Sequence, residues 1–197
     1  MTLLRAFVAI HLTPEMVAAL QQAQTELRAT PGGLAGRWVP PENMHLTLKF
    51  LGDVDSERLP EIYTVVDAAA QTCAPLVLTL TGLGCFPNTR RPRVVWAGIA
   101  EPSGQLLQLA QALDLALGQL GLPREQRPYR AHLTLARVRQ SAPRWQVEAL
   151  GQAVEAHCPQ QASMLATAAA VVRSDLRPQG PFYRTLHAAP LGNSMGG

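Results

Sequence analysis

One tetrapeptide is written twice in this chain, as His45-Leu46-Thr47-Leu48 and as His132-Leu133-Thr134-Leu135, and the repetition constrains the fold more than any other feature. Each copy lies in a stretch that alternates polar and apolar residues with the period of a β-strand, so residues two apart share a face. The leucines of each copy then turn into a core, while its His and Thr turn together the other way. If a pseudo-two-fold axis relates the two strands, two imidazoles and two hydroxyls meet around one pocket. A single H-x-T segment is ordinarily structural, and the chain contains one such segment at His11-Leu12-Thr13. That copy runs into Pro14, where Thr13 suits a helix N-cap better than a place in a site.

The segments around the two copies follow a common order. Arg5 to Leu12 reads as a strand, and Thr13-Pro14 opens a helix to about Arg28. The strand of the first copy closes on Gly52, and Ser56 is placed to cap a helix running to about Thr72. Strands at Leu76 to Thr81 and Arg93 to Ile99 follow, joined by a glycine-rich and arginine-rich connection that holds Phe86. The order then starts again: a helix from about Ser103 to Leu120, the strand Tyr129 to Arg137, a helix near Trp145 to Ala156, and strands at Met164 to Arg173 and Phe182 to Ala188. This pattern predicts an α+β fold, bilobal, with mostly antiparallel sheets, helices on the outer faces and a central cleft. Residues 1–190 are expected to form a single domain of two half-repeats, and 191–197 a flexible tail. Arg137 breaks the pattern, since strict alternation puts it on the core face with Leu133 and Leu135, so the strand must bulge or end there, or the side chain must snorkel.

Composition narrows the function classes. Charged residues are only 16% of the 197, and there are 15 glycines and 16 prolines, which excludes a disordered polyelectrolyte and a coiled coil. No apolar run approaches the ~18 residues that cross a bilayer, and Phe7 to Ile10 is too short for a signal-peptide core, so a cytoplasmic location is expected. Cys73, Cys85 and Cys158 are odd in number and scattered, which predicts buried thiols instead of a disulfide framework or a zinc site. Lys49 is the only lysine among 17 basic residues, and arginine grips phosphate bidentately. Glu42, Asp53 and Asp55 near the first copy have no counterpart beside the second, and H-x-T is not a chelating pattern, so neither a metal nor a cofactor is expected.

Two imidazoles and two hydroxyls facing one pocket suit in-line displacement at phosphorus. An unperturbed histidine titrates near pH ~6.5, so one ring can take a proton from the attacking oxygen while the other gives one to the leaving oxygen. Threonine hydroxyls can donate to the non-bridging oxygens as charge builds there. Phe86 is a candidate to stack on a base. The clusters Arg90, Arg91, Arg93 and Arg124, Arg127, Arg130 are candidates for backbone phosphates, Arg130 foremost because it lies nearest the second copy.

The paired motifs, with Trp38 and Pro41-Glu42-Asn43 before the first, Lys49-Phe50-Leu51-Gly52 after it and Ala136-Arg137 after the second, resemble the two-histidine phosphoesterases. Within these they are similar to the bacterial and archaeal RNA 2′,3′-cyclic phosphodiesterases, also called 2′-5′ RNA ligases. Arg5 to Ile10, Phe86-Pro87, Arg93 to Gly98, Ser174, Gly180-Pro181 and Tyr183 extend the likeness over nearly the whole chain. The resemblance implies hydrolysis of a terminal 2′,3′-cyclic phosphate on RNA to a 2′-phosphate, and reversible 2′-5′ joining of tRNA halves; the chain is expected to act without a metal and as a monomer. The resemblance also implies His45 as proton donor to the departing 3′ oxygen, His132 as proton acceptor from water, and Thr47 and Thr134 as phosphate ligands, the two histidine roles being exchangeable on sequence alone. Ala131 departs from the proline that many members carry. The alternatives are a phosphodiesterase for a small cyclic or 2′-5′-linked nucleotide, and a non-catalytic module that binds RNA ends.

Overall fold

The computed structural model describes residues 2–178 and 180–192. In chain order the elements are β1 (Leu3–His11), α1 (Pro14–Arg28), β2 (Gly36–Trp38), β3 (His45–Asp55), α2 (Leu59–Gln71), β4 (Leu76–Phe86), β5 (Val94–Ala100), α3 (Gln105–Gln119), β6 (His132–Val138), α4 (Arg144–Ala156), β7 (Ser163–Ala166), β8 (Ala168–Arg177) and β9 (Gly180–Pro190). The strands make one sheet in the order β7-β4-β5-β6-β3-β1-β8-β9, with β2 added to β6. All recorded pairings are antiparallel, and the α+β class stands. The two motif strands are neighbours at the centre, so the sets β3-β1-β8-β9 and β6-β5-β4-β7 join edge to edge, and each set is gathered from separated parts of the chain.

Local chemistry sets several boundaries. Thr13 caps α1, its hydroxyl accepting from the Met16 amide at 3.4 Å. Ser56 does not cap α2: Ser56–Arg58 is a 3-10 turn capped by the Asp55 carboxylate, and the α-helix starts at Leu59 with Pro60 in its first turn. β4 continues past Thr81 through the glycines to Phe86, because the Trp96 ring lies on Gly84 where a Cβ would come within 2.3 Å of it. Phe86 is therefore a strand residue, not a loop residue. Leu191 and Gly192 are buried and hydrogen-bonded to Thr167 and Ala70, so chain packing extends beyond 190, and residues 193–197 lie outside the described residues. Cys73 and Cys85 are buried as expected, but Cys158 is exposed.

The core lies on the leucine side of the sheet, where Leu46, Leu48, Leu133 and Leu135 pack with Val8, Ile10, Val95 and the apolar stripes of the helices. Both motif strands bulge at the same place. Thr47 faces Ala9 and Lys49 faces Val8, leaving Leu48 as the extra residue; Thr134 faces Trp96 and Ala136 faces Val95, leaving Leu135. A bulge puts two successive residues on one side and reverses the phase beyond it. Arg137 and its counterpart Phe50, 53% exposed, therefore emerge on the His/Thr face, which resolves the phase problem at Arg137.

The bulge also drives Lys49 inward, where it is 1% exposed. Its ammonium is held by the Asp114 carboxylate of α3 at 2.7 Å and by the Pro123 carbonyl. Burial opposes ionisation of Asp114, but Lys49, the Glu125 amide and Arg124 outweigh it and hold the acid at about 2, against an ordinary 3.8. The stabilisation is complete above the unfolded value and is lost as pH falls through the folded one. Asp114→Ala, which strands the buried ammonium, is expected to lower stability by about 3–5 kcal/mol in urea unfolding. Lys49→Met, which removes that charge, is expected to cost far less.

Candidate active site

β3 and β6 pair with Leu46 opposite Leu133. Antiparallel extension of that register sets His45 across from Thr134 and Thr47 across from His132, a two-fold arrangement on the face away from the core. Each imidazole is fixed the same way. His45 Nδ1 donates to the Asn43 carbonyl at 2.9 Å, and His132 Nδ1 donates to the Arg130 carbonyl at 2.7 Å. A carbonyl only accepts, so the proton of each neutral ring sits on Nδ1 and the Nε2 lone pair is free to take another. The Asn43 side chain donates to the Pro181 carbonyl at 2.9 Å, and the Tyr129 hydroxyl donates to the Thr47 carbonyl at 3.1 Å, so the approaches to both motifs are pinned.

The walls differ. Phe7 of β1 stacks on His45 with centroids 4.6 Å apart, and Tyr183 of β9 meets His45 edge-on at 5.1 Å. Burial in this apolar niche pushes the His45 imidazolium down to about 4, the Asn43 hydrogen bond opposing the shift and the charge of His11 adding to it. On the other side Phe86 meets His132 edge-on at 5.0 Å and leans on Trp96 at 5.3 Å. His45 is thus neutral at neutral pH in the free protein.

His45, His132, Thr47 and Thr134 are brought onto one face as expected, and Phe86 borders it. Arg130 contributes its carbonyl to His132, while its guanidinium stands in solvent. Among the described residues no group of three His, Cys, Asp or Glu side chains converges, and Glu42, Asp53 and Asp55 do not gather. Sequence reasoning missed three contributors. Phe7 lines His45, Arg137 lies near enough to Tyr183 for its charge to favour the phenolate against the burial that raises it, and His11 pairs with His45 in register. His11 Nε2 and the Thr185 hydroxyl are 3.0 Å apart, so this third histidine flanks the site although its Thr13 is a helix cap. The available signal for Arg137 was its charge in a core phase directly after the second motif.

Two H-x-T strands joined at the centre of a curled antiparallel sheet, each imidazole oriented by a backbone carbonyl, define a two-histidine phosphoesterase. Residues 10–96 and 98–183 match the family described as LigT like Phosphoesterase, and the chain belongs to that family. A relative in Thermus thermophilus named RNA 2′,3′-cyclic phosphodiesterase is 35% identical over 210 residues, covering 98% of this chain and 93% of its own. The crystal structure of TT0787 of Thermus thermophilus matches with a TM-score of 0.80 at 32% identity, over 96% of this chain and 99% of that one. E. coli LigT complexed with 3′-AMP matches with a TM-score of 0.75 at 27% identity, over 96% and 99%.

Since the Phe7 ring stacks directly on His45 and shields it from water, Phe7→Ala is expected to raise the His45 pKa from about 4 toward the unperturbed 6.5, read from imidazole resonances in an NMR titration. Tyr183→Ala is expected to shift it the same way.

Proposed function

We propose that this protein opens a 2′,3′-cyclic phosphate at an RNA end to a 2′-phosphate, with His45 and His132 as the acid–base pair and without a metal. The observation that carries the reading is the pair of imidazoles, each with Nδ1 committed to a carbonyl and Nε2 left free, on adjacent strands of one face. The name of the Thermus relative supports the substrate class.

The phosphate seats between the hydroxyls of Thr47 and Thr134, which donate to its non-bridging oxygens. His132, on the more open wall, takes a proton from water as the water oxygen bonds to phosphorus. The bond from phosphorus to O3′ breaks, and His45 gives its proton to that oxygen inside the niche of Phe7 and Tyr183, where bulk water does not compete. His45 must first be loaded, because it is neutral at rest. A phosphate anion arriving within ~4–6 Å in a dry site favours the imidazolium and raises its pKa. Substrate binding therefore recruits its own acid, and a proton is taken up from solvent as the complex forms. A 5′-hydroxyl in place of water gives a 2′-5′ bond by the same transfers, which is the proposed joining of tRNA halves.

Incubation of a short RNA ending in a 2′,3′-cyclic phosphate, in excess EDTA, is expected to yield the 2′-phosphate, with kcat falling about 10²–10⁴-fold in His45→Ala and in His132→Ala. Product that is indifferent to both substitutions overturns the reading. His45 carries its proton in the free protein only below about 4 and must carry it to act, so kcat/KM is expected to fall as pH rises above that value, with kcat falling only at higher pH because the bound phosphate holds the imidazolium. A guanidinium on the reacting face favours the phosphate before and during reaction, so Arg137→Ala is expected to raise KM and lower kcat on the same RNA.

A further inference from the structure

Away from the cleft, the connection between β4 and β5 meets the start of α4 in a groove of about 890 Å³, lined among others by Arg90, Arg91, Arg93 and Arg144 and by Glu148 and Glu155. The two acids are already engaged: Glu148 holds Arg144 at 2.7 Å, and Glu155 accepts from the Thr89 hydroxyl. Among the described residues Arg90, Arg91 and Arg93 make no ion pair. The first turn of α4 has no acidic residue and no side-chain cap, so the helix dipole adds to the positive field there.

The groove is built, not draped. The Thr89 carbonyl sits so close to α4 that a Cβ on Gly151 would come within 1.8 Å of it. The Arg91 amide donates to the Asn88 side chain at 3.0 Å, the Arg93 amide to the Phe86 carbonyl at 2.8 Å, and the Arg93 carbonyl accepts from Val138 at 2.9 Å. The same connection therefore starts at Phe86, which borders His132, and ends by joining β5 and the strand end that follows Arg137.

We infer that this groove is a track for the phosphodiester backbone of the RNA strand leading to the reacting end, gripped by Arg90, Arg91 and Arg93. The inference rests on the proposed activity for its substrate. Its chemistry is single-stranded RNA held through phosphates, without base reading, so it predicts affinity that rises with strand length and falls with salt. Ten nucleotides stacked at about 3.4 Å each reach roughly 30 Å, whereas a cyclic mononucleotide fills the cleft alone.

The experiment compares KM for a cyclic-phosphate-ended RNA 10-mer and for a 2′,3′-cyclic mononucleotide in wild type and in Arg90→Glu/Arg91→Glu. The expected result is a rise of about tenfold for the 10-mer only, with a log–log salt dependence flatter by about 0.7 per lost phosphate contact. Equal change for both substrates, or no change for either, overturns the track. Binding of a 10-mer ending in a plain 3′-hydroxyl, followed by fluorescence anisotropy, is a second readout that needs no turnover. There the variant is expected to bind about tenfold more weakly, and equal binding by both proteins overturns the track. If wild type turns over neither cyclic substrate, the proposed activity fails, and the anisotropy alone decides the groove.

Discussion

The adjacency of β3 and β6 at Leu46 and Leu133 is the constraint on which the site depends. An antiparallel pair is related to itself by a two-fold axis perpendicular to the sheet, so identical motifs placed across it present His beside Thr and Thr beside His. The twin bulges then act on both strands alike, turning Lys49 and Ala136 to the core beside Leu48 and Leu135 and returning Phe50 and Arg137 to the His/Thr face. That gain has a local cost in the first strand alone. Ala136 enters the core without charge, whereas Lys49 brings an ammonium that must be matched. Asp114 matches it and at the same time holds Arg124 and the Glu125 amide. The buried pair thus fixes the chain that leads to the second motif against the strand that carries the first.

Symmetry ends at the motifs. His45 is enclosed by two aromatic rings and stays neutral to about pH 4, while His132 has one ring at its edge. Identical sequences therefore stand in different surroundings because their neighbours differ, which on the proposed scheme lets one motif serve in two roles. His11 sharpens the difference, since a charge beside His45 further disfavours its protonation. Thr185 occupies the His11 ring nitrogen and holds that ring on β9.

Much of this was legible in the sequence. The period-two pattern of the two tetrapeptides specified which side chains share a face, and Thr13-Pro14 specified the start of α1, because both depend on residues a few positions apart. Strand neighbours were not legible in the same way: β8 lies beside β1, and β7 beside β4, through pairings distant in sequence that local patterns do not encode. Phe7 could not be read as a wall of the site for this reason, since only its pairing with Phe50 and with Val172 brings it beside His45. Asp55 displaced Ser56 as a cap because Pro60 favours the first turn of a helix, and this delays α2 to Leu59. The bulges left one trace, the charged Arg137 in a phase that alternation assigns to the core. Lys49 stands in the outward phase, so alternation gave no sign of its burial on a carboxylate.

The same asymmetry bears on which nucleophile the site accepts. On the proposed scheme the acid works in the closed niche and the base on the open wall, so the leaving oxygen is defined by burial while the attacking oxygen is defined by access. Nothing in the His132 hydrogen bond to Arg130 selects water over a nucleoside hydroxyl, because Nε2 accepts a proton from either. Selection then falls to whatever orders a second strand beside Phe86. Water at its bulk concentration prevails unless an incoming hydroxyl is held in place, and holding it supplies the large effective molarity of an oriented reactant. Hydrolysis is therefore the default chemistry of this geometry, and joining requires binding energy spent on the second strand.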